Sequence, residues 1–307
     1  MKGLALAERY FLSHGLPAIK QQFPQHVDRI AAGLVGPGSD CLGFDDEVSK
    51  DHDWGPGFCL WLTDSDFDQI GDELTQLYEY LPSSFDGFER GQSEWGRNRV
   101  GVFRTSLFYQ QYIGSSSLPT EISDWFYIPE DNLSVCTSGR VFTDPLGEFS
   151  NIRKELLAFY PDDVCLVKIA GRCMSAGQSG QYNYQRCLQR LDHFSMRIAE
   201  TEFCSSIISI IYLINRQYKP YYKWQLPGVA ALPIFGREVA EVISSLIVES
   251  DPQKKQLLIN RICEEVIGVL ISQGLSSAES LHFLDHGEAI HKKIRNFELR
   301  SRDVWLG

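Results

Sequence analysis

Residues 33–63, GLVGPGSDCLGFDDEVSKDHDWGPGFCLWLT, are the stretch on which the fold turns. The apolar run 31–36 reads as a short buried strand, and Pro37-Gly38-Ser39 follows it as a turn. After a loop rich in acid and glycine, residues 53–63 read as a second strand rich in aromatic side chains. Pro56 marks an edge or a bulge in it. Gly36-Pro37-Gly38-Ser39 leaves backbone amides unobstructed, so phosphate oxygens can approach Gly38 and Ser39, and Ser39 adds a hydroxyl donor. Asp51 and Asp53 are two apart at the expected strand start. The period of a strand then turns both carboxylates to one face and His52 to the other. Two hard oxygen ligands side by side, completed by phosphate and water at about 2.0–2.1 Å, are what Mg²⁺ takes.

Outward from this stretch, residues 4–12 and 17–31 carry apolar positions at helical spacing. A helix is expected over 67–80, capped by Ser65 or Asp66 and stopped by Pro82, with Ile70, Leu74 and Leu77 on one face. Residues 99–104 alternate like a strand, and 116–129 read as irregular, anchored by Trp125 and Tyr127. A strand pair is expected at 133–135 and 140–143, joined by a turn through Thr137-Ser138-Gly139. From Ser150 onward the pattern is helical: 152–160, 164–178, 184–218, 236–248, 254–273 and 278–300. The expectation is an α+β chain, with a mixed sheet and flanking helices over residues 1–150 and an all-helical domain over 151–307. The cleft between the two halves is the default ligand site.

The chain has 307 residues, enough for two modest domains. At 43% hydrophobic and 22% charged it has the composition of a globular protein. Forty acids against 29 bases, a net charge of −11, disfavour nucleic acid and anionic membrane as partners. The N-terminus reads as an amphipathic helix carrying Glu8 and Arg9 rather than a secretory leader, and the apolar run 204–214 is too short to span a bilayer. Eight cysteines lack any C-x-x-C pair and read as reduced core residues. The expected compartment is the cytoplasm.

A Gly-Ser pair followed by Asp-x-Asp about a dozen residues later resembles the signature of the nucleotidyltransferase superfamily, which includes kanamycin nucleotidyltransferase and DNA polymerase beta. Over more of the chain, GSDCLGFDDEVSKDHDWGPGF (38–58), GRVFTDPLGEF (139–149), GQYNYQRCLQR (180–190) and YKPYYKW (218–224) resemble the DUF4037 family, itself assigned to that superfamily. The resemblance implies a nucleotidyltransferase-like fold and transfer of a nucleoside monophosphate, AMP by default, from an NTP to a hydroxyl on a small-molecule or protein acceptor. Two Mg²⁺ ions are expected, with Mn²⁺ able to replace them, on Asp51 and Asp53.

Superfamily members add a third carboxylate on a later strand, and Asp144 is the candidate as ligand or general base. As part of Asp144-Pro145-Leu146-Gly147 it reads equally well as a turn residue accepting backbone hydrogen bonds. Asp45-Asp46-Glu47 reads as a solvated acidic face or as a device positioning Lys50. On the helical side, Tyr184, Arg186 and Arg190 are candidates for substrate contact, or else a solvated helix face capped by Asn183. Lys223, among the aromatics of 218–224, is a candidate for the nucleotide phosphates, or else part of an interface. The rival from another class is a non-catalytic nucleotide-binding regulator or antitoxin-like protein on the same fold.

Overall fold

The computed structural model describes residues 1–49, 54–90 and 99–307. Its chain divides into two compact units: residues 1–120 with 128–158, and residues 121–127 with 159–307.

The first unit is built on a four-stranded sheet of β1 (Ala31–Leu34), β2 (Cys59–Leu62), β5 (Gly101–Arg104) and β6 (Arg140–Thr143), in the order β5-β2-β1-β6. β1 runs antiparallel to both β2 and β6, and β2 runs parallel to β5, so the sheet is mixed. The remaining strands, β3 (Ser84–Phe85) and β4 (Phe88–Glu89), form a small hairpin. Its turn residues Asp86 and Gly87 both have positive φ, the conformation a two-residue hairpin loop requires.

Helices cover both faces of the sheet. α1 (Gly3–Tyr10) continues through a π-helical turn (Phe11–Gly15) into α2 (Leu16–Gln22). With α4 (Asp64–Tyr80) these pack Tyr10, Phe11, Ile19, Ile70, Leu74 and Tyr78 against Ala32, Leu60 and Leu62. Trp61 points the other way, as strand alternation demands, and its ring stacks on Phe149 at 3.9 Å between centroids with Phe108 against its edge. Those rings come from α5 (Thr105–Ile113) and α8 (Glu148–Leu157).

Three expectations are corrected here. Residues 133–135 are not a strand: they lie in α7 (Glu130–Thr137), which opens with two acids after Pro129. α8 belongs to the first unit, because Arg153 is buried on the carbonyls of Cys136, Thr137 and Gly139. The cap of α4 is Thr63, whose hydroxyl accepts the Asp66 amide; Asp66 is held in turn by Thr63 Oγ1 at 2.7 Å and by both arms of Arg29.

The second unit contains α6 (Ile122–Tyr127), α9 (Asp162–Ala176), α10 (Tyr184–Gln189) and α11 (His193–Ile214), followed by α12 (Gln225–Ala230), α13 (Gly236–Val248), α14 (Pro252–Ser272), α15 (Phe283–His291) and α16 (Phe297–Arg300). The helix expected over 184–218 is two helices. Leu191 takes a positive φ, and Asp192 caps a fresh start at the Ser195 amide. The apolar run 204–214 is buried within α11, and among the described residues no helix is long and apolar enough to cross a membrane. All eight cysteines are free thiols, Cys187 half-buried and the others buried. Burial pushes the Cys59 and Cys136 thiols up to about 12.

Candidate functional site

Where β1 ends, residues 35–38 lead into a single helical turn, α3 (Ser39–Leu42), with Gly38 extended and Gly43 closing it at positive φ. The turn is fixed from three directions. Ser138 Oγ donates to the Gly36 carbonyl at 2.6 Å, and the Gly139 amide donates to the Cys41 carbonyl at 2.8 Å. Gly139 has to be glycine: its φ is +64°, and a Cβ there would meet the Leu34 carbonyl at 1.9 Å.

From the sheet side comes Arg99, delivered by the parallel pairing of β5 with β2. Its guanidinium pairs with the buried Asp40 carboxylate, which also accepts the Cys41 amide at 2.8 Å. Burial works against the Arg99 charge, but Asp40 outweighs it and raises the group above its ordinary value. A side chain at Gly38 would overlap the guanidinium, since a Cβ would lie 2.0 Å from an Arg99 nitrogen. The Ser39 hydroxyl, half-buried at the turn, has no hydrogen-bond partner among the described residues.

Asp45 is not a solvated loop acid. It is buried, and its carboxylate accepts the Gly3 amide at 2.6 Å and Trp54 Nε1 at 3.1 Å, with Lys2 Nζ at 3.3 Å. Burial alone would raise this carboxyl; the Gly3 and Trp54 donors and Lys2 hold it below the usual carboxylate range. Asp46 accepts the amides of Val48 and Ser49 in a local turn.

Asp51 and Asp53, with His52 and Lys50, lie outside the described residues. Trp54, next in the chain after Asp53, packs beside Gly3, where a Cβ would touch both Trp54 Nε1 and Asp40 Cβ at 2.6 Å. β2 begins at Cys59, so residues 54–58 carry no strand.

Asp144 is placed elsewhere. β6 runs antiparallel to β1, with Leu34 opposite Arg140 and Ala32 opposite Thr143. The chain therefore reaches Gly38 and Ser39 at one end of the sheet and Asp144 at the other, roughly 10–13 Å of strand away at about 3.3 Å per residue. The Asp144 carboxylate accepts the amides of Gly147 at 3.0 Å and Ser150 at 2.7 Å, which is the turn role. Burial, followed by Asp64 and Asp144, raises the Glu148 carboxyl nearby. Among the described residues no three His, Cys, Asp or Glu side chains are grouped to hold a metal ion.

In the second unit, Tyr184 is fully buried, with its hydroxyl 3.4 Å from the Pro252 carbonyl, so it faces no substrate. Burial pushes it up to about 12. Asn183 caps nothing, because α9 does not end before it: a π-helical segment, Gly177–Asn183, carries the helix straight into α10. Arg186 is exposed, but lies over the Tyr182 ring at 4.9 Å and donates to its hydroxyl. Arg190, also exposed, follows α10 and donates its amide to the Arg186 carbonyl. Lys223 is exposed, with its ammonium 5.2 Å from the Trp224 ring centroid. Of its aromatic neighbours, Tyr218 turns inward onto Phe159 and Tyr160, whereas Tyr221 and Tyr222 are exposed and lie against each other with their rings tilted by 47°.

The residues that sequence reading missed are Asp40, Arg99, Ser138 and Gly139. Only Asp40 had a local signal, by adjacency to Ser39; the others reach the turn through strand and helix pairing over long separations.

The fold is thus α+β, a small mixed sheet between helices joined in the chain to a helical unit. The family described as Domain of unknown function (DUF4037) matches residues 125–225, in line with the resemblance carried by 180–190 and 218–224. Among solved structures, the crystal structure of a nucleotidyltransferase-like protein from Exiguobacterium sibiricum 255-15 is similar over 85% of this chain and 77% of that one. The two share 9% identity, at a TM-score of 0.37. No curated protein matches the chain.

Proposed function

We propose that the chain is a nucleotidyltransferase that moves a nucleoside monophosphate, AMP by default, from an NTP to a hydroxyl of a small-molecule or protein acceptor. Gly38 and Ser39 receive phosphate oxygens, and Asp51 and Asp53 hold Mg²⁺. The observation that supports this reading is topological. Antiparallel pairing of β1 and β2, with Gly33 opposite Cys59, brings the chain into β2 at the same end of the sheet where it leaves β1 for the Gly-Ser turn. Trp54, directly after Asp53, packs there beside Gly3 and Asp40.

Metal ligation falls to Asp51 and Asp53, because the acids described near the turn are already engaged: Asp40 with Arg99, and Asp45 with Gly3, Trp54 and Lys2. A divalent ion there supplies charge neutralisation for the phosphates. Asp144 has no part in this site. In the reaction the acceptor oxygen bonds to the α-phosphorus, the bond from that phosphorus to the bridging oxygen breaks, pyrophosphate leaves, and the hydroxyl proton passes to solvent.

The test is incubation with ATP labelled at the α-phosphate and Mg²⁺ in a cell extract, with products separated by size. Label moves onto a small molecule or a protein, pyrophosphate accumulates, and Asp51→Asn with Asp53→Asn abolishes both at unchanged far-UV circular dichroism. Continued pyrophosphate release by that double variant defeats the reading. Binding of ATP by the wild type without consumption supports instead a nucleotide-sensing protein.

A further inference from the structure

The second unit holds a groove of its own, about 540 Å³, between one side of the α9, π-helix and α10 run and the facing side of α11. π-helical turns widen a helix by one residue and collect at functional sites. Here the widening is fixed by packing: Gly180 lies so close to α11 that a Cβ would fall 2.3 Å from the Phe203 ring. Ser179 Oγ turns back to the Ser175 carbonyl at 2.6 Å, so it is spent within the helix.

What remains on the groove wall is chemically uncommitted. Gln178, Asn183 and Glu202 line it, and their side chains make no hydrogen bond or ion pair with any described residue. Phe194 and Ile198, one turn apart on α11 and 77% and 58% exposed, supply an apolar rim. Glu202 is the one charged side chain among the described residues that line the groove. With no cation among the described residues that line it, and a protein of net charge −11, a phosphate or carboxylate ligand is repelled.

We infer that this groove binds a small organic cation, an ammonium or guanidinium carried on a ring or short apolar frame. Glu202 pairs with the charge, Phe194 offers its ring face to the cation or frame, and the Gln178 and Asn183 amides take hydroxyl or amide groups of the ligand. The site is independent of the Gly-Ser turn and stands or falls separately from the nucleotidyl-transfer reading.

The experiment uses the full chain with isotope-labelled isoleucine methyl groups and three probes of one shape: benzylammonium, benzyl alcohol and benzoate. Benzylammonium shifts the Ile198 methyl resonance saturably and binds about tenfold more tightly than benzyl alcohol, a difference of one charge interaction; benzoate leaves the resonance unmoved. Glu202→Gln brings benzylammonium down to the affinity of benzyl alcohol, and Phe194→Ala weakens both. Both side chains are exposed, so unchanged melting temperatures accompany these losses. The preference persists in the Asp51→Asn, Asp53→Asn variant. Equal response to the three probes in the wild type, or a preference that survives Glu202→Gln, overturns the assignment.

Discussion

The ion pair between Arg99 and Asp40 is buried beside the Gly-Ser turn, and removing one side of it has a calculable consequence. The two side chains are 14% and 4% exposed, so water screens the pair little and cannot rescue a charge left alone. Breaking a buried pair by removing one partner costs about 3–5 kcal/mol, whereas replacing both partners by neutral groups costs far less. With Arg99 slightly accessible, the lower end, about 3 kcal/mol, is the expectation for Arg99→Gln. For a unit of this size that corresponds to a fall in Tm of roughly 6–12 °C, at about 2–4 °C per kcal/mol.

Differential scanning calorimetry of the wild type, Arg99→Gln, Asp40→Asn and the double variant closes a thermodynamic cycle. Because two compact units need not unfold together, the transition followed is the one that moves in these variants. Asn in place of Asp40 keeps an oxygen for the Cys41 amide, so the double variant recovers most of the loss, with a coupling energy of at least about 2 kcal/mol. Single variants that each lose less than about 1 kcal/mol, as exposed pairs do, refute the reasoning. So does a double variant no better than the worse single one.

Asp45 gives a prediction with a sign. Its carboxyl is held below its ordinary value in the folded chain, so the stabilisation is fully present above the unfolded value of about 3.9 and is lost as the pH falls through the folded value. Asp45→Asn should lose about 1.5–3 kcal/mol at neutral pH in urea titrations, with the gap to wild type closing toward pH 2; a gap constant with pH contradicts the assignment. Two glycine substitutions should have opposite signs. Gly180→Ala drives a methyl into the Phe203 ring and destabilises by about 1–3 kcal/mol. Gly268→Ala, in the interior of α14 where a Cβ meets nothing within 4 Å, stabilises by about 0.4–1 kcal/mol. Thermal melts of the two variants side by side decide it.

Elements governed by local pattern were legible in the sequence. β1, β5 and β6 fall within or on the stretches read as strands, and α4, α13 and α14 follow their apolar stripes to within a few residues. The failures have physical causes. Residues 133–135 look like a strand only if the acids of Glu130-Asp131 are ignored, although acids favour a helix start. The break at 190–192 depends on a positive φ at Leu191, a residue whose type gives no warning of it. Of the site, the Gly38-Ser39 turn was readable because glycine and serine act through their own backbone and hydroxyl. Arg99 was not, because its place depends on a parallel pairing of residues 42 apart in the chain, Cys59 opposite Gly101 to Leu62 opposite Arg104. Asp144 was misplaced for the same reason: its residue type suits a metal site, but the direction of β6 decides which end of the sheet it reaches.

That direction bears on where a polyphosphate can sit. At one end of the sheet stand Asp64, Asp66, Asp68, Asp144 and Glu148, answered by Arg29 and Arg104, and the Glu148 carboxyl is raised first by burial and then by its acidic neighbours Asp64 and Asp144. At the other end the Gly-Ser turn carries Arg99 and Asp40, which offset one another. The acidic end repels phosphate, whereas beside the Gly-Ser turn Arg99 is paired with Asp40 and Lys2 with Asp45, and the turn backbone and the Ser39 hydroxyl remain for a ligand. Charges paired in this way do not by themselves attract a triphosphate strongly. Within the proposed function the attraction comes from a cation brought with the nucleotide and held by Asp51 and Asp53. Within the proposed function, removal of divalent ions should abolish nucleotide binding itself and not only turnover. Isothermal titration of ATP with and without chelator distinguishes the two, and full-strength binding in chelator would show that the turn holds phosphate through protein groups alone.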